Sequence, residues 1–262
     1  MLSFITKLLG LLLVFTLCTS FYVNKKIGQK TMLVVVAHPD DEMAIAEVLV
    51  KFNRQGFKVI LMIATDGKYG TRVTRIPEGD SLAKIRREES ICSSKKMGIE
   101  HPIFLSIDRL DTKNGVRNYF NAQKQLRDSL IKRIPSINPD FIITFGPDGD
   151  SHHAEHIVVG SAVTEILLQK GWVDKYPLYY IAYTNSSSGL EELGFMDPKY
   201  INVEISYSQE EELIGLEANK CFVSQQTVAE MEEDRASKLR DTVNKTLFRK
   251  FAVKSGKQTS FN

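Results

Sequence analysis

The sequence predicts an α/β fold, a doubly wound and mostly parallel sheet in a single domain, and three observations carry that expectation. Short apolar runs rich in β-branched residues alternate with helical periodicity at least four times. The first runs are continuously apolar rather than alternating, as strands covered on both faces are. The residues able to do chemistry cluster just after predicted strands, where open parallel sheets collect their ligands.

In chain order, residues 32–37 (MLVVVA) predict the first buried strand. Residues 42–53 have helical spacing, with Ala46, Val50 and Phe52 on the apolar side. Residues 58–65 (KVILMIAT) predict a second strand ending at Asp66-Gly67. A charged helix over 81–97 leads to a short strand at 102–106, and 119–133 returns to helical spacing. Residues 141–145 (FIITF) predict the fourth strand and 156–169 the next helix. Later strands are expected at 178–183 and 200–205, and C-terminal helices at 210–220 and 228–247. Right-handed crossovers between the parallel strands make this a Rossmann-like arrangement.

Of the 262 residues, 43% are hydrophobic and 25% charged, which suits one large domain over residues 28–262. The net charge of +2 gives no clustered basic face for nucleic acid, so that partner is excluded. Three cysteines, none in a Cys-x-x-Cys pair, predict neither a disulfide framework nor a thiolate metal site.

Residues 1–27 are set apart as a hydrophobic signal-anchor or signal peptide. The apolar stretch 8–23 is short against the ~20 residues of a spanning helix unless Phe4 and Ile5 join it. Cys18 and Ser20 supply a mediocre version of a cleavage site. Lys7 precedes the stretch and Lys25, Lys26 and Lys30 follow it, which favours a cytoplasmic body. The expectation is a single-pass N-terminal membrane anchor with a cytoplasmic domain; export after signal-peptide cleavage is the alternative.

Two loops carry the chemistry. Ala37-His38-Pro39-Asp40-Asp41-Glu42 follows the first strand, and residues 146–156 (GPDGDSHHAEH) follow the fourth. Four of the five histidines lie in these loops; the other is His101. His38, Asp41 and His156 make a His-Asp-His set suited to a divalent metal such as zinc, with a coordination position left for water. Asp40, beside a ligand, is placed to take a proton from that water. His153, one turn before His156, can face the same cavity and assist the oxyanion or the departing amine. Each loop also has a plainer reading, as the acidic first turn of a helix or a solvated helix start, and His152 is a bystander.

These residues resemble the N-acetylglucosaminyl-phosphatidylinositol de-N-acetylases and their bacterial relatives, the PIG-L/LmbE-like family. The resemblance runs through residues 37–42, Thr65-Asp66-Gly67, Arg86-x-x-Glu89, Met97-Gly98, the His-x-x-His at 153–156 and, less clearly, Ser224-Gln225. It implies zinc, one ion per chain, held by His38, Asp41 and His156, with Asp40 as general base and His153 assisting the tetrahedral intermediate. It implies substrate contacts for Arg86 and Asp108, against a helical Arg86–Glu89 ion pair and an ordinary turn. The implied substrate is an N-acetylated sugar or glycolipid. The chain departs from the family's frequent His-Pro-Asp-His by reading His153-Ala154-Glu155-His156.

Two other functions compete with a deacetylase. The same metal site could cleave another amide, such as that of a thiol conjugate. A non-catalytic sugar or nucleotide binder is the reading from another class, disfavoured by the lack of a glycine-rich fingerprint after the first strand.

Overall fold

A computed structural model describes residues 28–184 and 194–261. The N-terminal segment predicted to meet a membrane, residues 1–27, lies outside the described residues. Among the described residues no helix is long and apolar enough to cross a membrane.

The sheet has seven strands in the order β3-β2-β1-β4-β5-β7-β6. In chain order these are β1 (Thr31–Val36), β2 (Lys58–Thr65), β3 (Ile103–Ile107), β4 (Phe141–Thr144), β5 (Leu178–Ala182), β6 (Val203–Ser206) and β7 (Lys245–Lys250). β1 through β5 are parallel, with β1 between β2 (Val34↔Leu61) and β4 (Val34↔Ile143). The continuous apolar reading of β1 is explained by its place: all six residues are buried at the centre of the sheet.

The helices are α1 (Ala46–Arg54), α2 (Asp80–Met97), α3 (Val116–Ile137), α4 (Ala154–Gln169), α5 (Gln209–Asn219) and α6 (Val228–Arg240). α1, α2 and α5 pack together, and α3 packs on α4. With right-handed crossovers the strand order reverses between β1 and β4, so the two helix groups cover opposite faces. That reversal opens a crevice beyond the carboxyl ends of β1 and β4, where both histidine-bearing loops emerge.

Two expectations need correction. The helix expected over 228–247 ends at Arg240, and the chain then forms β7, antiparallel to β5 and β6. Thr242, Val243 and Thr246 are β-branched, and Leu247 and Phe248 are buried against neighbouring strands, so packing favours extended chain there. Second, Cys92 and Cys221 are joined by a disulfide across 129 residues of sequence, with Cα atoms 5.9 Å apart. It ties α2 to the segment after α5, a pairing that no local cysteine spacing reveals.

An apolar cavity of about 260 Å³ lies between α1 and the β4–β7 part of the sheet, lined by Phe52, Phe141 and Phe248 among others. It presents no titratable group except Tyr179, so the chemistry is elsewhere.

Candidate active site

The loop after β1 folds back on its own acid. Asp41 Oδ2 accepts the N–H groups of Ala37 (2.9 Å) and His38 (2.7 Å), which fixes its carboxylate at the strand end. Asp40 takes a left-handed backbone, φ 108°, which is costly for a residue with a Cβ. Two buried groups hold it there. Glu42 Oε2 accepts the Asp40 N–H at 2.9 Å, and Arg86 Nη2 donates to both Asp40 Oδ2 (2.9 Å) and the Pro39 carbonyl (2.5 Å). Burial pushes the Glu42 carboxyl up to about 8, so it is protonated at neutral pH and adds no second charge beside Asp40.

The loop after β4 supplies the imidazoles. His156 Nδ1 lies 3.0 Å from the Gly149 carbonyl, and its ring stacks on Phe145 at 4.1 Å between centroids. Gly149 has φ +66°, and a Cβ there would sit 2.6 Å from Ile157. Only glycine serves both the turn and the close approach. His153 caps α4, its Nδ1 accepting the Glu155 N–H at 3.3 Å.

The two loops bring three ligand-type groups together. His38 Nδ1 is 3.3 Å from His156 Nε2, His156 Nε2 is 3.1 Å from Asp41 Oδ1, and His38 Nδ1 is 3.6 Å from Asp41 Oδ2. Four ligands placed tetrahedrally on bonds of about 2.0–2.1 Å are about 3.3 Å from one another. The separations of 3.3 and 3.1 Å match that edge length, and the 3.6 Å contact of His38 is to the other oxygen of the same carboxylate. The other ring nitrogens are taken, His156 Nδ1 by Gly149 O and His38 Nε2 by Glu155 Oε2 at 2.7 Å. Two imidazole lone pairs therefore converge beside a carboxylate, an arrangement suited to a divalent cation. His38, His153 and His156 also form a group, but their ligand atoms spread over as much as 4.8 Å. Two ligands on opposite sides of one such ion are at most about 4.2 Å apart, so Asp41 fits the inner set better than His153.

The electrostatics agree. Burial lowers the His38 pKa, but the Asp41 and Glu155 carboxylates outweigh it and bring it to about 10. Burial likewise opposes the charge on Asp41, yet His156 and His38 hold that carboxyl well below its usual range. The acids want a positive charge at their centre. His153 is shifted the other way: burial and then the neighbouring His38 and His156 lower it, so it stays neutral. Asp40 is raised to about 6, chiefly by burial, with Arg86 pulling it down.

A sequence profile of the PIG-L family, described as GlcNAc-PI de-N-acetylase, matches residues 33–167, more than half of the chain and both loops. The chain belongs to the PIG-L family. A probable N-acetyl-α-D-glucosaminyl L-malate deacetylase 2 of Bacillus subtilis is 28% identical over 169 residues, 63% of this chain and 72% of that protein. A 1D-myo-inositol 2-acetamido-2-deoxy-α-D-glucopyranoside deacetylase of Mycolicibacterium vanbaalenii is 22% identical over 191 residues, 66% of each. The N,N'-diacetylchitobiose deacetylase of Pyrococcus horikoshii has the same fold, with TM-score 0.64, 19% identity and coverage of 89% and 88%. A 4-carboxy-2-hydroxymuconate hydratase from Pseudomonas putida also shares the fold at TM-score 0.59 and 14% identity, covering 88% and 100%. The PIG-L fold thus hosts more than one reaction, and the site has to decide between them.

The other motifs of this PIG-L chain form a frame under Asp40. Thr65 Oγ1 donates to the Ala37 carbonyl, and Arg87 Nε donates to Asp66. Gly67 accepts from Arg86 Nη1 at 2.9 Å, and a Cβ at Gly67 would sit 2.1 Å from that guanidinium. Arg86 is 3% exposed and donates to Pro39, Asp40 and Gly67, so it holds Asp40 from behind rather than reaching into the open crevice. Its expected partner Glu89 accepts from Ser224 N and Oγ instead, both at 2.7 Å. Asp108 is half-exposed at the rim, held by Lys68, Tyr69 and Asn114.

Glu155 is the residue that sequence reasoning did not single out. Its two oxygens take His38 Nε2 and, at 2.5 Å, the Leu110 N–H. The available signal was an acid retained between two histidines where the family's loop was otherwise changed.

Proposed function

We infer that this chain removes the acetyl group from an N-acetylglucosamine-containing substrate, using zinc held by His38, Asp41 and His156. The observation that carries the reading is the mutual spacing of those three side chains, 3.1–3.6 Å, with the Asp40 carboxylate beside them. A divalent cation there supplies a Lewis acid for the acetamide carbonyl and brings the pKa of a water toward neutrality. Zinc suits the mixed imidazole and carboxylate donor set.

The chain's own groups do the rest. Asp40, at about 6, is ionised at neutral pH and accepts the proton of the attacking water. Glu42 and Arg86 fix the backbone that places it. His153 is neutral, with Nδ1 accepting from the Glu155 N–H, which leaves Nε2–H to hydrogen-bond the oxyanion, while the proton that Asp40 took from water passes on to the departing amine. The products are acetate and the free amino sugar.

The relatives' names join N-acetylglucosamine to malate or inositol, which supports the sugar and leaves its partner open. The second reading, cleavage of another amide, keeps the same site and differs only in product. The Cys92–Cys221 disulfide supports a body held in an oxidising compartment, with residues 1–27 as export signal or anchor. The test is acetate release by the zinc-loaded chain from GlcNAc-inositol, GlcNAc-phosphatidylinositol and N,N'-diacetylchitobiose. Chelator-sensitive release from any of them supports the reading; zinc binding without acetate from all three transfers the site to another amide.

A further inference from the structure

Next to the histidine loops lies a concavity of different chemistry. A cavity of about 270 Å³ opens between residues 108–114 and the first turns of α3. Whole-ligand pockets run to about 300–1,000 Å³, so this one suits part of a ligand, on the scale of a single ring. Asn118, Asn121 and Gln125 line it at three- and four-residue steps, which puts their carboxamides on one helix face. Tyr119 adds an aromatic wall.

The charges around the cavity cancel in pairs. Arg109 makes a bidentate bridge to Asp111, at 2.8 and 2.7 Å, and Asp108 is paired with Lys68 at 2.5 Å. Asn118 Nδ2 donates to the Asn114 carbonyl, whereas the side chains of Asn121 and Gln125 make no hydrogen bond among the described residues. A carboxamide offers two donors and an acceptor without charge. The lining therefore matches neighbouring hydroxyl groups and gives a carboxylate or phosphate no unpaired cation.

The cavity is coupled to the reaction centre through one side chain. Leu110, between Arg109 and Asp111 on the wall, donates its N–H to Glu155 Oε1 at 2.5 Å. The other oxygen of that carboxylate meets His38 Nε2 at 2.7 Å.

We propose that this pocket is a subsite for a second, uncharged polyhydroxylated ring, a glycosyl or cyclitol unit joined to the acetylated sugar. It rests on the deacetylase reading for the identity of the first ring. Asn121 and Gln125 bind the second ring's hydroxyls, Tyr119 faces its C–H surface, and the lining selects against an acidic group such as malate.

The experiment is calorimetric titration of the full chain, wild type and Asn121→Ala/Gln125→Ala, with GlcNAc, GlcNAc-inositol and N,N'-diacetylchitobiose, with acetate release followed in parallel. Both positions are exposed on a helix, where alanine is well accommodated. Two lost hydrogen bonds reduce the advantage of a two-ring ligand over GlcNAc about tenfold. Loss for GlcNAc-inositol alone identifies a cyclitol site, and loss for chitobiose alone a sugar site. An unchanged advantage in the variant, or no advantage in the wild type, overturns the proposal even where acetate is released. Wild-type protein that shows the advantage, loses it in the variant and releases no acetate keeps the subsite and sinks the deacetylase reading.

Discussion

Glu155→Gln is the most informative single change in this site. Glu155 is 7% exposed and accepts two hydrogen bonds, one from His38 Nε2 at 2.7 Å and one from the Leu110 N–H at 2.5 Å. Glutamine keeps the shape but offers one oxygen acceptor, so a buried donor is left without a partner, at a cost of about 1–3 kcal/mol. If His38 loses its partner, the ring is no longer held with Nδ1 toward His156 and Asp41. Loss of such an outer carboxylate typically costs about 10–100-fold in metal affinity, or about 1.4–2.7 kcal/mol. If Leu110 loses it, the cost falls on folding. Zinc affinity from competition with a chelator, together with Tm, separates the two. The expected result is at least tenfold weaker zinc binding with a small change in Tm. Zinc affinity within twofold of wild type and an unchanged Tm would refute the role given to Glu155.

Other changes address the frame and the base. Asp40 must be ionised to act, so kcat/KM falls as pH drops through a pKa of about 6 or lower, since a nearby cation favours the carboxylate. Asp40→Asn removes that acid limb and costs about 10²–10⁴-fold in kcat while zinc stays bound; a retained limb assigns the base elsewhere. Arg86→Met removes one partner of a buried ion pair and lowers stability by about 3–5 kcal/mol, read by urea unfolding, and activity falls with it because Asp40 loses its support. A melting curve close to wild type contradicts that. Cys92→Ser/Cys221→Ser opens a 129-residue link and costs about 2–5 kcal/mol, seen as a lower Tm that wild type reproduces in reductant. Equal Tm with and without reductant contradicts a stabilising bond.

Much of this was legible in the sequence because the signals were local. A buried parallel strand leaves a run such as residues 32–37, and residues 37–42 hold acid and imidazole within a few positions, so both could be read without partners. What escaped was set by distance in the chain. The Cys92–Cys221 bond and the Glu89–Ser224 contacts join residues more than a hundred positions apart. The helix expected over 228–247 overran the start of β7, because the pairing of Leu247 and Phe248 with β5 and β6 that makes them a strand leaves no local mark. A substrate contact for Arg86 is implied by the family resemblance, and its burial cannot be read from a charged helix. Its burial depends on the room left by Gly67 and Gly70.

The central claim is that His38, Asp41 and His156 hold one catalytic cation and that Asp40 acts beside it without binding it. Metal analysis of wild type, His38→Ala and Asp40→Ala, each dialysed after zinc loading and assayed for acetate release, tests this directly. The account predicts about one zinc per chain in wild type and in Asp40→Ala, with most turnover lost in the latter, and loss of both zinc and turnover in His38→Ala. Full zinc in His38→Ala, or near-native turnover in Asp40→Ala, would contradict it.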